Sequence, residues 1–153
     1  MGYDRYELLE YTNALSDFRK ACGLDPTNDY THFGIWLCSS LLGNSNGANN
    51  ELKEYLATRP AADSGDWPSR VGDFLTGRIT EKEFLSASDS PDSRKSLDQH
   101  CEAYFYIGSK RLIAGDKAEA IADFKKCVET GVTNFTEYQC AKAELKNLRG
   151  ETE

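Results

Sequence analysis

Ala14, Phe18 and Pro26 return as Ala48, Leu52 and Pro60, each 34 residues further on. A repeat at a period of about 20–50 residues constrains a chain strongly, because one such unit cannot bury its own apolar face and must stack on its neighbours. The first set reads ALSDFRKACGLDPTN and the second ANNELKEYLATRP. In both, a small and a bulky residue stand one helical turn apart and share a face. The proline marks where that helix has ended, since it lacks the N–H and its ring clashes with the preceding turn. From Ala48 to Ala120 the step is 72 residues, two periods plus four. Residues 61–100 therefore have room for one further unit with a small insertion.

The best-defined unit runs from Cys101 to Cys127, CEAYFYIGSKRLIAGDKAEAIADFKKC. Tyr104, Ile107, Gly108 and Leu112 fall on one face of a first helix. Gly115-Asp116 breaks the pattern, Gly as a helix terminator and Asp as the next N-cap. Ala120, Phe124 and Cys127 share a face of the second helix, and the small Gly108 and Ala120 let two antiparallel helices approach closely. This stretch resembles a tetratricopeptide repeat, whose period is about 34 residues. The family's bulky residue, Leu or Ile with Gly, Gly-Asp, and Ala-x-x-x-Phe-x-x-Ala stand here as Tyr104, Ile107, Gly108, Gly115, Asp116, Ala120, Phe124 and Cys127. Cys replaces the last Ala. The resemblance implies an all-α fold, a right-handed superhelix of antiparallel helix pairs. Residues 1–153 then form a single domain, with a partial repeat over 4–26, a repeat over 29–60, a degenerate repeat over 61–100, the clear repeat over 101–132 and a capping helix over 134–148.

Residues 4–23 read as one helix, with Leu8, Tyr11, Leu15, Phe18 and Cys22 stepping by three and four. By register it is the second helix of a pair, so its partner is expected upstream, the sequence reads as an excised fragment, and another chain or a shifted helix must cover its apolar face. Residues 29–42 read as the next first helix, Gly43 to Gly47 as a turn and Ala48 to Thr58 as a second helix. Trp36 stands where the family has a small residue and Gly34 lies two residues earlier, which predicts altered spacing or a rotated helix. Trp67-Pro68 reads as a helix start and Thr80 with Glu83 as a capping box. SASDSPDSR reads as a polar loop holding the extra residues. Phe135, Tyr138, Ala141 and Leu145 predict a last helix that caps the array, and 149–153 read as a frayed end. The succession of the Trp-Pro start, FLTGRITEKEFL, CEAYFYIG and TGVTNFTEY is similar to the repeats of bacterial NlpI-type lipoproteins and their relatives, over residues 5–148. Those are periplasmic adaptors that bring proteases and cell-wall hydrolases together. No lipidation Cys stands near the start of this sequence.

The 153 residues suffice to bury roughly 70% of the unfolded surface, so no metal or disulfide is needed for folding. The formal net charge of −7 and pI of about 4.9 argue against nucleic acid and anionic membranes, which need a basic patch. No apolar run reaches the length of a membrane span. Five cysteines, at 22, 38, 101, 127 and 140, form an odd set without CxxC pairing. Cys22, Cys101, Cys127 and Cys140 sit in helical stretches and read as small buried apolar residues, the alternative being an incidental or regulatory thiol, and a reducing compartment is favoured. A cytoplasmic location is favoured, with a periplasmic or exported one if a targeting segment precedes the sequence.

The expected function is non-catalytic, with no cofactor and no metal. His32 has no zinc-ligand spacing and reads as a structural helix residue. His100-Cys101-Glu102 matches the H-x-E of zinc deaminases by letter, but no PCxxC follows. There is no phosphate loop, GxGxxG or GxSxG. The Asn134-Phe135-Thr136 sequon reads as chance. If the repeat geometry holds, first helices line a concave groove, through Tyr30, Phe33 and Leu37, then Trp67, Val71 and Phe74, then Phe105, Ser109 and Leu112. This row suits a protein or peptide with bulky anchors, and acidic rims favour a basic partner. Gly34, Glu102 and Tyr106 stand where carboxylate-clamping relatives carry Asn, Lys and Arg, which excludes that binding mode. The reading is a scaffold or adaptor. The alternative is a homodimer or structural module whose groove is filled by itself or a second copy.

Overall fold

The computed structural model describes residues 1–150, and among them all regular structure is helical, as expected. The residues fall into two compact units, Met1–Arg78 and a second from Ile79 onward.

In the first unit, α1 (Gly2–Glu7), α2 (Tyr11–Leu24), α3 (Asp29–Leu41), α4 (Ser45–Thr58) and α5 (Trp67–Leu75) follow one another, with one 3-10 turn at Ala61–Asp63. The single helix expected over 4–23 is in fact two. Leu9 takes a left-handed φ of 59° and lets α1 fold back on α2. Such a conformation costs a non-glycine residue about 1–2 kcal/mol. Leu9 is the first of a register of left-handed turns that continues at Gly43, Gly77 and Gly115, so α1 stands where the upstream partner was expected and covers α2 itself. Tyr3 meets the Phe18 ring edge-on at 4.7 Å, and Tyr6 is fully buried.

α3 is the centre of this unit, packed by α1, α2, α4 and α5. That position explains why every residue from Phe33 to Ser40 is buried, since a helix apolar all round must be enclosed. Gly34 allows the approach of α2: a Cβ there would lie 2.5 Å from the Phe18 ring. Trp36 turns the other way and donates from Nε1 to Asn49 on α4 at 2.8 Å. The bulky residue is thus accommodated on one neighbour and the close approach made on another. α4 starts at Ser45, not Ala48, because the Asn44 side chain accepts from Gly47 N and caps it.

In the second unit, α6 (Glu81–Ser88), α7 (Ser93–Ile113), α8 (Lys117–Glu129) and α9 (Thr136–Leu148) are arranged with α7 at the centre, packed by α6, α8 and α9. Thr80 and Glu83 form the expected reciprocal capping box. α7 begins eight residues before Cys101, inside the stretch read as a loop, because Asp92 accepts from Arg94 N and Lys95 N and caps it. Gly108 lets α7 and α8 meet: a Cβ would lie 2.9 Å from the Phe124 ring. The last helix falls within the expected capping segment. Of the expected frayed end, Arg149 caps α9 and residues 151–153 lie outside the described residues.

One carboxyl in this core carries a pH consequence. Glu137 is 5% exposed and accepts from the Tyr106 hydroxyl at 3.3 Å. Burial pushes its carboxyl above the usual range. The folded state then holds this proton to higher pH than the unfolded chain, so the contribution is fully present below the unfolded value of about 4.3 and lost as pH rises through the folded one. Glu137→Gln keeps an acceptor for Tyr106 without the charge. It is expected to raise stability at neutral pH by about 1–3 kcal/mol and to flatten the pH dependence of the urea midpoint above the unfolded value.

Candidate functional site

Local caps and turns place two polar centres, one in each unit. In the first, Arg59 follows α4 and reaches the starts of two other helices. Its Nε and Nη2 bond Asp29 of α3 at 2.8 and 3.1 Å, and Nη2 bonds Asp66, the N-cap of α5, at 2.8 Å. Nη1 also meets the Ser69 hydroxyl. The Tyr55 hydroxyl donates to Asp29 at 2.7 Å, and His32 stacks on the Tyr55 ring at 3.5 Å. Burial and the Asp29 carboxylate push the Tyr55 phenol up. Burial opposes ionisation of Asp66, yet the bonds from Arg59 and Ser69 hold it below its ordinary value. With Arg59 only 11% exposed, this centre ties three helices together rather than offering a free guanidinium.

The second centre is an open cleft of about 610 Å³ lined by Glu81, Lys82, Leu85 and Ser86 of α6, Asp89 after it, and His100 and Tyr104 of α7. The His100 imidazole Nε2 lies 2.8 Å from Asp89 Oδ1. Arg111 Nη2 bonds both Glu81 oxygens, at 2.9 and 2.7 Å. Its Nε lies 2.8 Å from Asp123 Oδ2 without hydrogen-bond alignment, a charge contact only. Lys126 sits 5.3 Å from the centre of the Tyr104 ring. Ser86 joins this His–Asp pair in the lining, but among the described residues no hydrogen bond links its hydroxyl to the imidazole. The cleft therefore offers a half-exposed aromatic ring beside charges of both signs, suited to seating a side chain.

The residues expected to line a groove are placed differently. Phe33, Leu37, Val71, Phe105 and Ser109 are fully buried and Phe74 nearly so, while Tyr30, Trp67 and Leu112 keep some surface. α3 brings Tyr30, Phe33 and Leu37 into the first unit together with the three residues of α5, while Phe105, Ser109 and Leu112 belong to the second unit on α7. Enclosure of α3 and α7 on several sides turns most of these aromatic rings inward. The Asp89–His100 pair escaped the sequence reading, because the polar loop hid the true start of α7. The signal available was Asp92 with three helix-compatible residues after it. Cys38, Cys101, Cys127 and Cys140 are buried, and Cys22 is half-buried. Among the described residues no helix is long and apolar enough to cross a membrane, and no group of three or more His, Cys, Asp or Glu could hold a metal ion.

Compared with known proteins, the chain is similar to the Lipoprotein NlpI homolog of Haemophilus influenzae, 26% identical over 151 residues. The match covers 97% of this chain but 46% of that protein, so the chain spans about half the length of the curated relative it matches. It supports an NlpI-like relationship, in line with the resemblance drawn from FLTGRITEKEFL and TGVTNFTEY. No protein-family profile matches the chain.

Proposed function

We propose that this chain is a non-catalytic adaptor that holds a protein or peptide partner, with the α6–α7 cleft as its contact surface. The observation that carries the reading is the cleft itself, whose lining brings together the Tyr104 ring, Leu85 and the Glu81 and Asp89 carboxylates. An aromatic face with nearby carboxylates suits a basic or amide side chain of a partner. The helix-pair register marked by Leu9, Gly43, Gly77 and Gly115 supports a repeat architecture of the kind used for protein recognition. The relative's name describes a lipoprotein, which favours the exported alternative for this chain.

The test uses the purified chain and a Leu85→Asp/Tyr104→Ala variant of unchanged circular dichroism as parallel baits. A partner purified from the captured set should bind the variant at least about tenfold more weakly, the scale of one lost anchor. Its affinity should also fall with added salt. Equal binding to both baits would remove the cleft from the proposal. Sedimentation of the chain alone reads the competing outcome: a concentration-dependent dimer blocked by the same variant would make a second copy the occupant.

A further inference from the structure

Cys101 on α7 and Cys127 on α8 face each other across the tightest helix seam of the second unit, their sulfurs 3.5 Å apart and both side chains fully buried. Gly108 lets α7 come close to Phe124 of α8 along this seam, and Ala120 is fully buried. A disulfide needs about 2.05 Å between sulfurs, about 1.5 Å less than their separation here. The other thiols are placed differently: Cys22 lies 3.8 Å from His32 Nε2, Cys38 is buried in the first unit, and Cys140 is buried on α9, near enough to help push Cys127 up.

We propose that Cys101 and Cys127 are a latent redox couple, a dithiol that closes into an α7–α8 disulfide in oxidising surroundings and stays open in reducing ones. Cys127 lies two residues before the end of α8 and its Sγ donates to the Glu137 carbonyl at the start of α9 at 3.7 Å, so opening of the turn between α8 and α9 admits a small disulfide reagent. Its thiolate attacks one sulfur of glutathione disulfide, forming a mixed disulfide and releasing one glutathione. When the turn recloses, the Cys101 thiolate attacks Cys127 Sγ and displaces the second glutathione. Two S–H bonds are lost and one S–S bond forms, and two electrons and two protons pass to the reagent. The buried pair as it stands opposes the first step, so Cys127 ionises and attacks only once the opened turn lets water reach it. The hydrogen bond from Cys127 lowers Cys101, overcoming burial. That same bond, together with burial, pushes Cys127 up.

The reduced chain is incubated in glutathione buffers of stepped potential, at and just below the urea concentration that frays α8. Free thiols are then alkylated, and the chain is cut at glutamates, which separates Cys127 from Cys140 by cleavage after Glu129. The expected result is a 101–127 cross-linked peptide, a loss of two alkylatable thiols, and an unfolding temperature raised by about 5–10 °C. Cys140→Ala should keep the link, and Cys101→Ala, folded by circular dichroism, should lose both the link and the temperature rise. Five alkylatable thiols at every potential would overturn the proposal, and so would a link made through Cys140 instead.

Discussion

Phe124→Ala is expected to cost about 3–5 kcal/mol, the largest loss of any single truncation in the second unit. The ring is fully buried, rests on Gly108 and lies 6.1 Å from the Phe105 ring. Its removal takes away the transfer free energy of an aromatic side chain and leaves a void. Gly108 has no side chain to swing into that void, and α7 is held from two other sides by α6 and α9. The cavity therefore persists, which places the cost toward the upper part of the range. Phe124→Leu keeps most of the volume and should cost about 1.5 kcal/mol or less. Urea unfolding followed by circular dichroism reads both. An alanine variant within about 1 kcal/mol of the parent would mean that the seam collapses around the gap, contrary to the packing described.

Gly34→Leu should be nearly as damaging in the first unit, for the opposite reason. A Cβ at Gly34 would lie 2.5 Å from Phe18, and a Cβ at Gly2 on α1 would lie 2.6 Å from the same ring. The ring is clamped between two glycines and cannot retreat. Gly34→Ala adds a helix-favouring residue worth about 1 kcal/mol but overpacks, for a net loss of about 1–2 kcal/mol. The leucine adds three more carbons into the same space, and about 3 kcal/mol or more is expected. Phe18→Ala introduced alongside should recover part of that loss, since it supplies the missing volume. A double variant no better than the sum of its parts would show that the two residues are not in contact.

What the sequence made legible follows from how local each signal is. The Thr80–Glu83 box, the Trp67-Pro68 start and the Gly115-Asp116 turn each act within four residues, and each stands as read. The break between α1 and α2 was not legible, because a leucine occupies the left-handed position where glycine would announce a turn. Its place one period before Gly43 was the remaining trace. The Arg59 centre joins residues up to 30 positions apart, Asp29 among them, and no short motif encodes such a pairing. Periodicity found the apolar faces of α3, α5 and α7, but it cannot tell a face that lines a surface from one that a neighbouring helix covers. Phe33 and Phe105 therefore read as anchors for a partner, although packing encloses both.

The placement of the two tryptophans gives the chain a built-in optical asymmetry. Trp36 is interior and bonded to Asn49, Trp67 is partly exposed at the start of α5, and both lie before Ile79. Excitation at the red edge of protein absorption therefore lights only the first unit. The emission mixes a blue-shifted, quencher-resistant component from Trp36 with a redder, quencher-sensitive one from Trp67. The second unit, where the α6–α7 cleft and the cysteine pair lie, is dark at that wavelength. A single tryptophan added there would report on it alone once Trp36 and Trp67 are replaced by phenylalanine.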